Sequence, residues 1–221
     1  MGMQFKELFD GVYTINGKIA TANLVKQNRV YGEELISLNG TEYRLWNPYR
    51  SKLAAALLKG LKSFGIKRGD TVLYLGAATG TTASHVSDIV GTEGRVFCVE
   101  ISERNVRELL NVCEARENMV PLLADARFPE RYDEAIGVCN IIYQDVAAKD
   151  QSDILKINSR LLKKGGYAYF IIKSQSIDIS KAPERVFESE LENLKGLFKV
   201  VERIGLEPYD SMHLFSVLKR L

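Results

Sequence analysis

Up to Trp46 the apolar positions come in short, part-alternating runs, the period of strands that show one face to a core. Three glycine turn signals punctuate or flank these runs: Asp10-Gly11, Asn16-Gly17 and Asn39-Gly40. The third is the clearest, because ELISL, NG and TEYRLW in succession read as an Asn-Gly hairpin. No long helical stripe precedes Ser51. Residues 1–46 therefore read as a small antiparallel β module. It is too small to carry a full core alone, so it should pack on the rest of the chain.

From Ser51 the period changes. Ser51 suits a helix N-cap, and Leu53, Leu57, Leu61 and Phe64 form a helical stripe. Strand and helix signals then alternate. TVLYL (71–75) leads to a helix from Thr81, and RVFCVE (95–100) to one near 102–116. VPLLAD (120–125) and CNIIYQD (139–145) are two more strands. A helix near 150–163 is predicted to end on a C-cap at Gly165-Gly166. YAYFIIK (167–173) comes next, then a helix near 184–197 after Pro183, then the strands KVVERIGL and SMHLFSVLKR. The apolar runs are near-continuous, as in strands covered on both faces. Helices between strands argue for a right-handed parallel sheet, and the short break at 207–210 for a closing antiparallel pair. The organisation is an α/β domain at 47–221 preceded by the β module at 1–46.

Composition is that of a globular protein, with 46% hydrophobic and 26% charged residues. No apolar stretch nears the roughly 20 residues of a membrane span, and the first residues lack the apolar core of a signal peptide. Cys98, Cys113 and Cys139 are unclustered, which suits buried thiols in a reducing compartment and offers neither a disulfide framework nor a zinc site. A cytoplasmic location is expected. The net charge of +2 is not the basic footprint of a protein that grips nucleic acid unaided.

The candidate chemistry lies where the predicted parallel strands end, the edge at which open α/β sheets bind ligands. The first strand ends in the loop Gly76-Ala77-Ala78-Thr79-Gly80, the second in Glu100, the third in Asp125, the fourth in Asp145 and the fifth in Lys173. The NAD fingerprint is G-x-G-x-x-G, and Ala78 stands where its second glycine would be. The loop carries no Lys or Arg, so it is not a phosphate-gripping P-loop. A glycine turn alone is as often only a tight turn, and an acidic strand end is often a surface charge. The ordered series is the specific signal. Glu100, 20 residues after Gly80, sits where a carboxylate would accept ribose hydroxyls, and Asp125-Ala126 where adenine would be met. A ribose, an adenine and an uncharged tail without phosphate describe S-adenosylmethionine.

WNPYRSKLAAAL, GTTASHVSD, VFCVEIS, ADAR, NIIYQDVA, FIIKSQSID and LEPYDSMH occur in this order from Trp46 to the C-terminus. In them the chain resembles the fibrillarin family in its archaeal form, and the β module looks like the archaeal one. Two departures stand out: the loop reads GAATG where GAS-type variants are commoner, and Ala148-Lys149 stands where the family usually has Gln-Pro. The resemblance implies a Rossmann-like, seven-stranded class I S-adenosylmethionine-dependent methyltransferase fold. It implies a guide-RNA-directed ribose 2′-O-methyltransferase acting on rRNA and tRNA. The implied partners are a box C/D guide RNA, a Nop-type scaffold protein and a kink-turn-binding, ribosomal-protein-like protein. The implied catalytic set is Lys52, Asp145, Lys173 and His213. The implied cofactor lining is Gly76, Ala78, Thr81, Thr82, Glu100, Ile101, Asp125, Ala126, Asp145, Val146, Ala147 and Ala148. Read without the resemblance, Asp145 and Lys173 end adjacent strands and should meet, whereas Lys52 and His213 alone suggest a solvated lysine and a structural histidine. Lys173 is the candidate base, with Asp145 the alternative proton acceptor. His85, in the helix after the loop, reads as structural. An NAD-dependent oxidoreductase and a catalytically silent ribonucleoprotein subunit are the competing classes. Ala78 and the lack of a second substrate domain count against the first, and the complete Lys-Asp-Lys-His set against the second.

Overall fold

The computed structural model describes residues 4–221, so the first three positions of the predicted β module lie outside the described residues. Two sheets organise the chain. The first contains β1 (Phe5–Phe9), β2 (Val12–Ile15), β3 (Lys18–Ala22), β4 (Leu35–Leu38) and β5 (Thr41–Leu45). Its order is β1-β2-β3-β5-β4, with every pair antiparallel. Asn16 and Gly17 close one hairpin with φ of 50° and 78°, and Asn39 and Gly40 close another with 51° and 80°. Two successive positive φ values are what a type I′ hairpin turn demands, and Asn-Gly supplies them with little strain.

The second sheet comes after α1 (Lys52–Leu58). It is built from β6 (Thr71–Leu75), α2 (Thr81–Val90), β7 (Arg95–Glu100), α3 (Glu103–Ala115), β8 (Met119–Leu123), α4 (Asp133–Ile136), β9 (Cys139–Gln144), α5 (Gln151–Asn158) and β10 (Leu162–Lys173). The chain ends with α6 (Ser174–Ile177), α7 (Pro183–Glu192), β11 (Phe198–Gly205) and β12 (His213–Arg220). The seven strands lie in the order β11-β12-β10-β9-β6-β7-β8. β6 to β10 pair in parallel, while β12 runs antiparallel to both β10 and β11. Strand order reverses between β6 and β9, and this switch point opens a crevice at the carboxyl edge. This is the Rossmann-like, seven-stranded methyltransferase architecture expected from the sequence.

Alternation within the apolar runs explains why both sheet faces are covered. Val72, Tyr74, Ile141 and Tyr143 pack on α1, α2 and the module residues Val12, Ile19 and Trp46. Leu73, Leu75, Ile142 and Phe170 pack on the other side with Ile154, Leu155 and Leu191. The module thus shares a core with the larger sheet. A buried polar network reinforces the junction. Asp88 of α2 receives Arg44 of β5 at 2.8 Å and Arg116 at 2.6 Å, and Glu33 lies 2.6 Å from Arg44. His85, fully buried, stacks on Trp46 with centroids 4.5 Å apart and meets the hydroxyls of Thr21 and Tyr31 at 2.8 Å each. The structural reading of His85 fits this setting.

Several predicted elements differ in extent; the helix predicted near 184–197, for one, spans only Pro183–Glu192. The stripe from Leu53 to Phe64 is helical only to Leu58; Leu61 and Phe64 reach the core from the following loop. Gly165-Gly166 is not a helix C-cap. α5 ends at Asn158, a 3-10 turn spans Ser159–Leu161, and β10 begins at Leu162. The glycines sit at the register shift between Leu162 and Tyr167 where β10 meets β9. A Cβ on Gly166 would lie 2.8 Å from the Asn140 carbonyl oxygen, so the strands approach only because none is present. Among the described residues no helix is long and apolar enough to cross a membrane, and no His/Cys/Asp/Glu group could hold a metal ion. Cys98, Cys113 and Cys139 are free thiols.

Candidate active site

A cleft of about 340 Å³ lies at the switch point. Gly76, Ala78, Glu100, Ile101, Asp125, Ala126, Asp145, Val146, Ala147, Ala148 and Lys173, all predicted, line it together. Larger hollows exist, including one of about 560 Å³ beside Tyr31, Trp46 and Tyr49. Only the switch-point cleft gathers the strand-end carboxylates, and that chemistry outweighs volume.

The glycine loop is wound tightly. Gly76, Ala78 and Gly80 all have positive φ, of 81°, 49° and 89°. The Ala78 N–H donates to Glu100 Oε2 at 2.8 Å. Glu100 Oε1 accepts from the Ser102 N–H at 2.9 Å and from Asn105 Nδ2 at 3.4 Å. The loop is therefore fastened to the carboxylate that ends β7. An ionised carboxylate offers about four acceptor positions, so Glu100 keeps capacity for a ligand while buried to 7% exposure. Ile101 beside it leaves a large apolar side chain 62% exposed. Just past the end of the neighbouring β8, Asp125 Oδ1 accepts from the Arg127 N–H at 2.9 Å, and Arg127 also grips Asp150 through two hydrogen bonds of 2.8 and 2.9 Å. The N-terminus of α2 has no side-chain cap.

Thr81 and Thr82 do not line this cleft. Thr82 Oγ1 donates to Ser51 Oγ at 3.0 Å, and Ser51 caps α1 by accepting from the Ala54 N–H. Thr81 lines a neighbouring cleft with Arg29, Arg50 and Glu108.

The four predicted catalytic residues gather at one side of the cleft. Lys173 Nζ donates to the Asp145 backbone carbonyl at 2.8 Å and stands 2.8 Å from Asp145 Oδ1. Lys52 Nζ donates to Asp145 Oδ2 at 3.1 Å. Lys52 is thus no solvated lysine; the first position of α1 aims it inward, and its side chain is 19% exposed. His213 begins β12 opposite Lys173 in the β10 register. Its Nδ1 does not contact Asp145 but lies 2.8 Å from Asp210 Oδ1. Asp210 was not predicted, although its place three residues before a histidine was a readable signal. Its Oδ2 also stands 3.7 Å from Lys52 Nζ. Burial works to raise the Asp210 pKa; contact with His213 and the charges of His213, Lys52 and Lys173 outweigh it and hold the carboxyl below its usual range.

Gln151 was also missed, and nothing in its polar surroundings marks it. It is fully buried, accepts from the Lys173 N–H at 3.1 Å and donates to the Ala148 carbonyl at 3.1 Å. One side chain thereby ties the cleft wall after β9 to the end of β10. Asn105, in the first turn of α3, and Arg127 add polar groups to the lining that were not predicted, beside the apolar Val99, Ala124 and Ile154. The arrangement can hold a polar ligand against Glu100 and move a proton among Lys173, Asp145 and Lys52.

The fibrillarin family model matches residues 3–220. The fibrillarin-like rRNA/tRNA 2′-O-methyltransferase of Thermococcus gammatolerans is 52% identical over 221 residues, covering 97% of this chain and 98% of that protein. The structure of Aeropyrum pernix fibrillarin with natively bound S-adenosyl-L-methionine superimposes with a TM-score of 0.90 at 44% identity, over 99% of this chain and 98% of that one. Fibrillarin in its complex with Nop5p superimposes with a TM-score of 0.89 at 41% identity, over 98% of this chain and all (100%) of that one. With its strand order, switch-point cleft and family match agreeing along nearly its whole length, the chain belongs to the fibrillarin family.

Proposed function

We propose that the protein is an S-adenosylmethionine-dependent ribose 2′-O-methyltransferase, directed by guide RNA to rRNA and tRNA as the methyl-transferring subunit of a cytoplasmic box C/D ribonucleoprotein. The observation that carries this reading is the convergence of Lys173, Asp145 and Lys52 beside a cleft whose far wall is Glu100. The rRNA/tRNA 2′-O-methyltransferase activity of one relative and the S-adenosyl-L-methionine bound to another support it.

The cleft residues fit that cofactor. Glu100 retains acceptor capacity for ribose hydroxyls, Ile101 offers an apolar face for adenine, and Asp125-Ala126 edges the same pocket. When bound, the cofactor supplies a methyl group on a positively charged sulfur. The chain must hold the 2′-oxygen in line with that methyl and accept the hydroxyl proton. Holding two reactants in line can supply about 7–11 kcal/mol of a barrier. Lys173 in its neutral form is the acceptor we favour, and Asp145 Oδ1, 2.8 Å away, is the other. Lys52 balances the Asp145 charge from the opposite side.

A net charge of +2 provides weak electrostatic purchase on RNA. Selection of one ribose therefore falls to a guide RNA, a Nop-type scaffold protein and a kink-turn-binding protein. The complex of a relative with Nop5p supports the scaffold. Residues 1–46 are our candidate for part of its docking surface, and 47–221 for the transferase proper. The test is methyl transfer from labelled cofactor to a guide–target RNA. Activity at one ribose with guide and partners, and negligible activity without them near physiological salt, is expected. Site-specific methylation by the chain alone would overturn the partner dependence. Absence of transfer in the full assembly would overturn the enzymatic reading.

A further inference from the structure

We propose that Asp210 is a positioning residue for methyl transfer, its carboxylate tying His213 to Lys52 so that both keep their places around Asp145. The inference rests on the methyltransferase reading above. Its basis is a continuous set of contacts. Lys173 stands 2.8 Å from Asp145, Asp145 3.1 Å from Lys52, Lys52 3.7 Å from Asp210, and Asp210 2.8 Å from His213. The ends of this series, Lys173 and His213, are direct partners in the β10–β12 register, so the five residues close into a ring. His213 reaches the other charged groups through Asp210.

Charge balance assigns the carboxylate its task. Two lysines face two aspartates in the ring. Both lysines already contact Asp145, and without Asp210 that one carboxylate would be left to balance them alone, with Lys52 held from one side only. On the other side, the 2.8 Å approach of Asp210 Oδ1 to His213 Nδ1 sets a carboxylate beside one ring nitrogen and so favours one orientation of the imidazole. An imidazole without that partner can rotate.

The loop at 206–212 does not need this carboxylate to hold its course. The Tyr209 N–H donates to the Leu206 carbonyl at 2.9 Å, and the Tyr209 ring packs edge-on against Tyr49 with centroids 5.2 Å apart. Ser174 donates to the Met212 carbonyl through both its N–H, at 3.2 Å, and its hydroxyl, at 2.9 Å. The backbone and its neighbours fix the loop, while the Asp210 side chain, 27% exposed, is spent on Lys52 and His213.

Asp210→Asn, Asp210→Glu, His213→Ala and the Asp210→Asn/His213→Ala double variant would be assembled with guide RNA and partners. Cofactor affinity, melting temperature, and kcat and KM for target RNA would be measured for each. Asp210→Asn is expected to lower kcat about tenfold or more with KM, cofactor affinity and melting temperature near those of the unsubstituted chain. Asp210→Glu is expected to recover most of the loss. The double variant is expected to be slower than His213→Ala by less than the full Asp210→Asn factor, because the part of the loss that runs through His213 is already gone. A kcat for Asp210→Asn within twofold of the unsubstituted assembly overturns the proposal. Multiplying losses in the double variant, or a loss matched by a fall in melting temperature that Asp210→Glu does not reverse, also overturns it. No transfer by the unsubstituted assembly overturns the methyltransferase reading and this proposal with it, an outcome distinct from an active assembly indifferent to Asp210.

Discussion

Gly76 lies so close to Asp145 that a Cβ built on it would stand 2.9 Å from the Asp145 carbonyl oxygen. That contact joins the end of β6 to the end of β9, the two strands of the switch point, and sets the cofactor loop against the candidate catalytic carboxylate. The same Asp145 carbonyl accepts from Lys173. A displacement at Gly76 therefore reaches both the cleft and the lysine.

Gly76→Ala is expected to weaken the fold and the cleft together. Alanine must adopt φ near +81° and push its methyl into backbone that cannot rotate away. Strain of this kind costs about 1–3 kcal/mol. Thermal melts and cofactor titration should show a lower melting temperature with a larger dissociation constant. A variant that melts and binds as the unsubstituted chain does would remove the steric account.

Glu100→Ala is expected to lower cofactor affinity more than tenfold. Charge-assisted hydrogen bonds contribute about 1.5–3 kcal/mol each. The structure adds a second reason: without the carboxylate the Ala78 and Ser102 N–H groups lose their acceptor, and the glycine loop its fastening. Glu100→Gln keeps an acceptor oxygen and is expected to lose less. Calorimetry returning equal affinities for all three chains would falsify the placement of the ribose at Glu100.

What the sequence disclosed divides by the range of the interaction concerned. TVLYL and RVFCVE became strands of the predicted extent because near-continuous β-branched runs between turn signals have one stable use. Asn-Gly pairs became hairpin turns for an equally local reason. Gly165-Gly166 misled because its glycines serve a contact with Asn140 on another strand, which no local rule records. Lys52 alone resembled a solvated lysine; its inward aim depends on Asp145, 93 residues away. Asp210 and Gln151 escaped because each joins a near neighbour to a partner distant in sequence, the His213 and Lys52 side chains for one and the Ala148 and Lys173 backbone for the other, and an acidic or amide residue in a polar stretch has no periodic signature.

Lys173→Ala is expected to abolish methyl transfer while cofactor affinity stays close to that of the unsubstituted chain. Removal of a general base typically costs ~10²–10⁴ in rate. Lys173 sits at the edge of the cleft and donates to backbone rather than to Glu100 or Asp125, so the binding wall stays intact. Single-turnover rates in a saturated assembly measure this directly, and a near-normal rate would exclude the lysine. His85→Ala makes the contrasting variant. It opens space beneath Trp46 and removes one hydrogen-bond partner each from Thr21 and Tyr31, which keep Asp88 and the Leu45 carbonyl, so it should melt earlier while folded molecules keep their rate.

The junction between the β module and α2 predicts how stability depends on pH. Burial, followed by the positive charges of Arg44 and Arg116, holds the His85 pKa well below its ordinary 6.5. The folded chain keeps this imidazole neutral at pH values where the unfolded chain protonates it. As pH falls below about 6.5 the unfolded state therefore binds more protons, and stability declines by up to about 1.4 kcal/mol per pH unit until the folded value is reached. Glu33 adds a loss at lower pH. Burial works to raise its pKa, but Arg44 and the backbone N–H groups of Tyr31 and Val30 outweigh burial and hold it below 4.5. Its contribution is complete above the unfolded value and disappears as pH falls through the folded one. Denaturant unfolding from pH 7.5 down to pH 3 should show stability falling first in the histidine window and again, below about 4.5, in the carboxylate window. His85→Gln should start less stable at pH 7.5 and decline less between pH 6.5 and 5, while Glu33→Gln should flatten only the lower part. Equal pH slopes for His85→Gln and the unsubstituted chain above pH 5 would show that His85 takes up its proton in the folded state, against its fully buried position between Trp46, Thr21 and Tyr31.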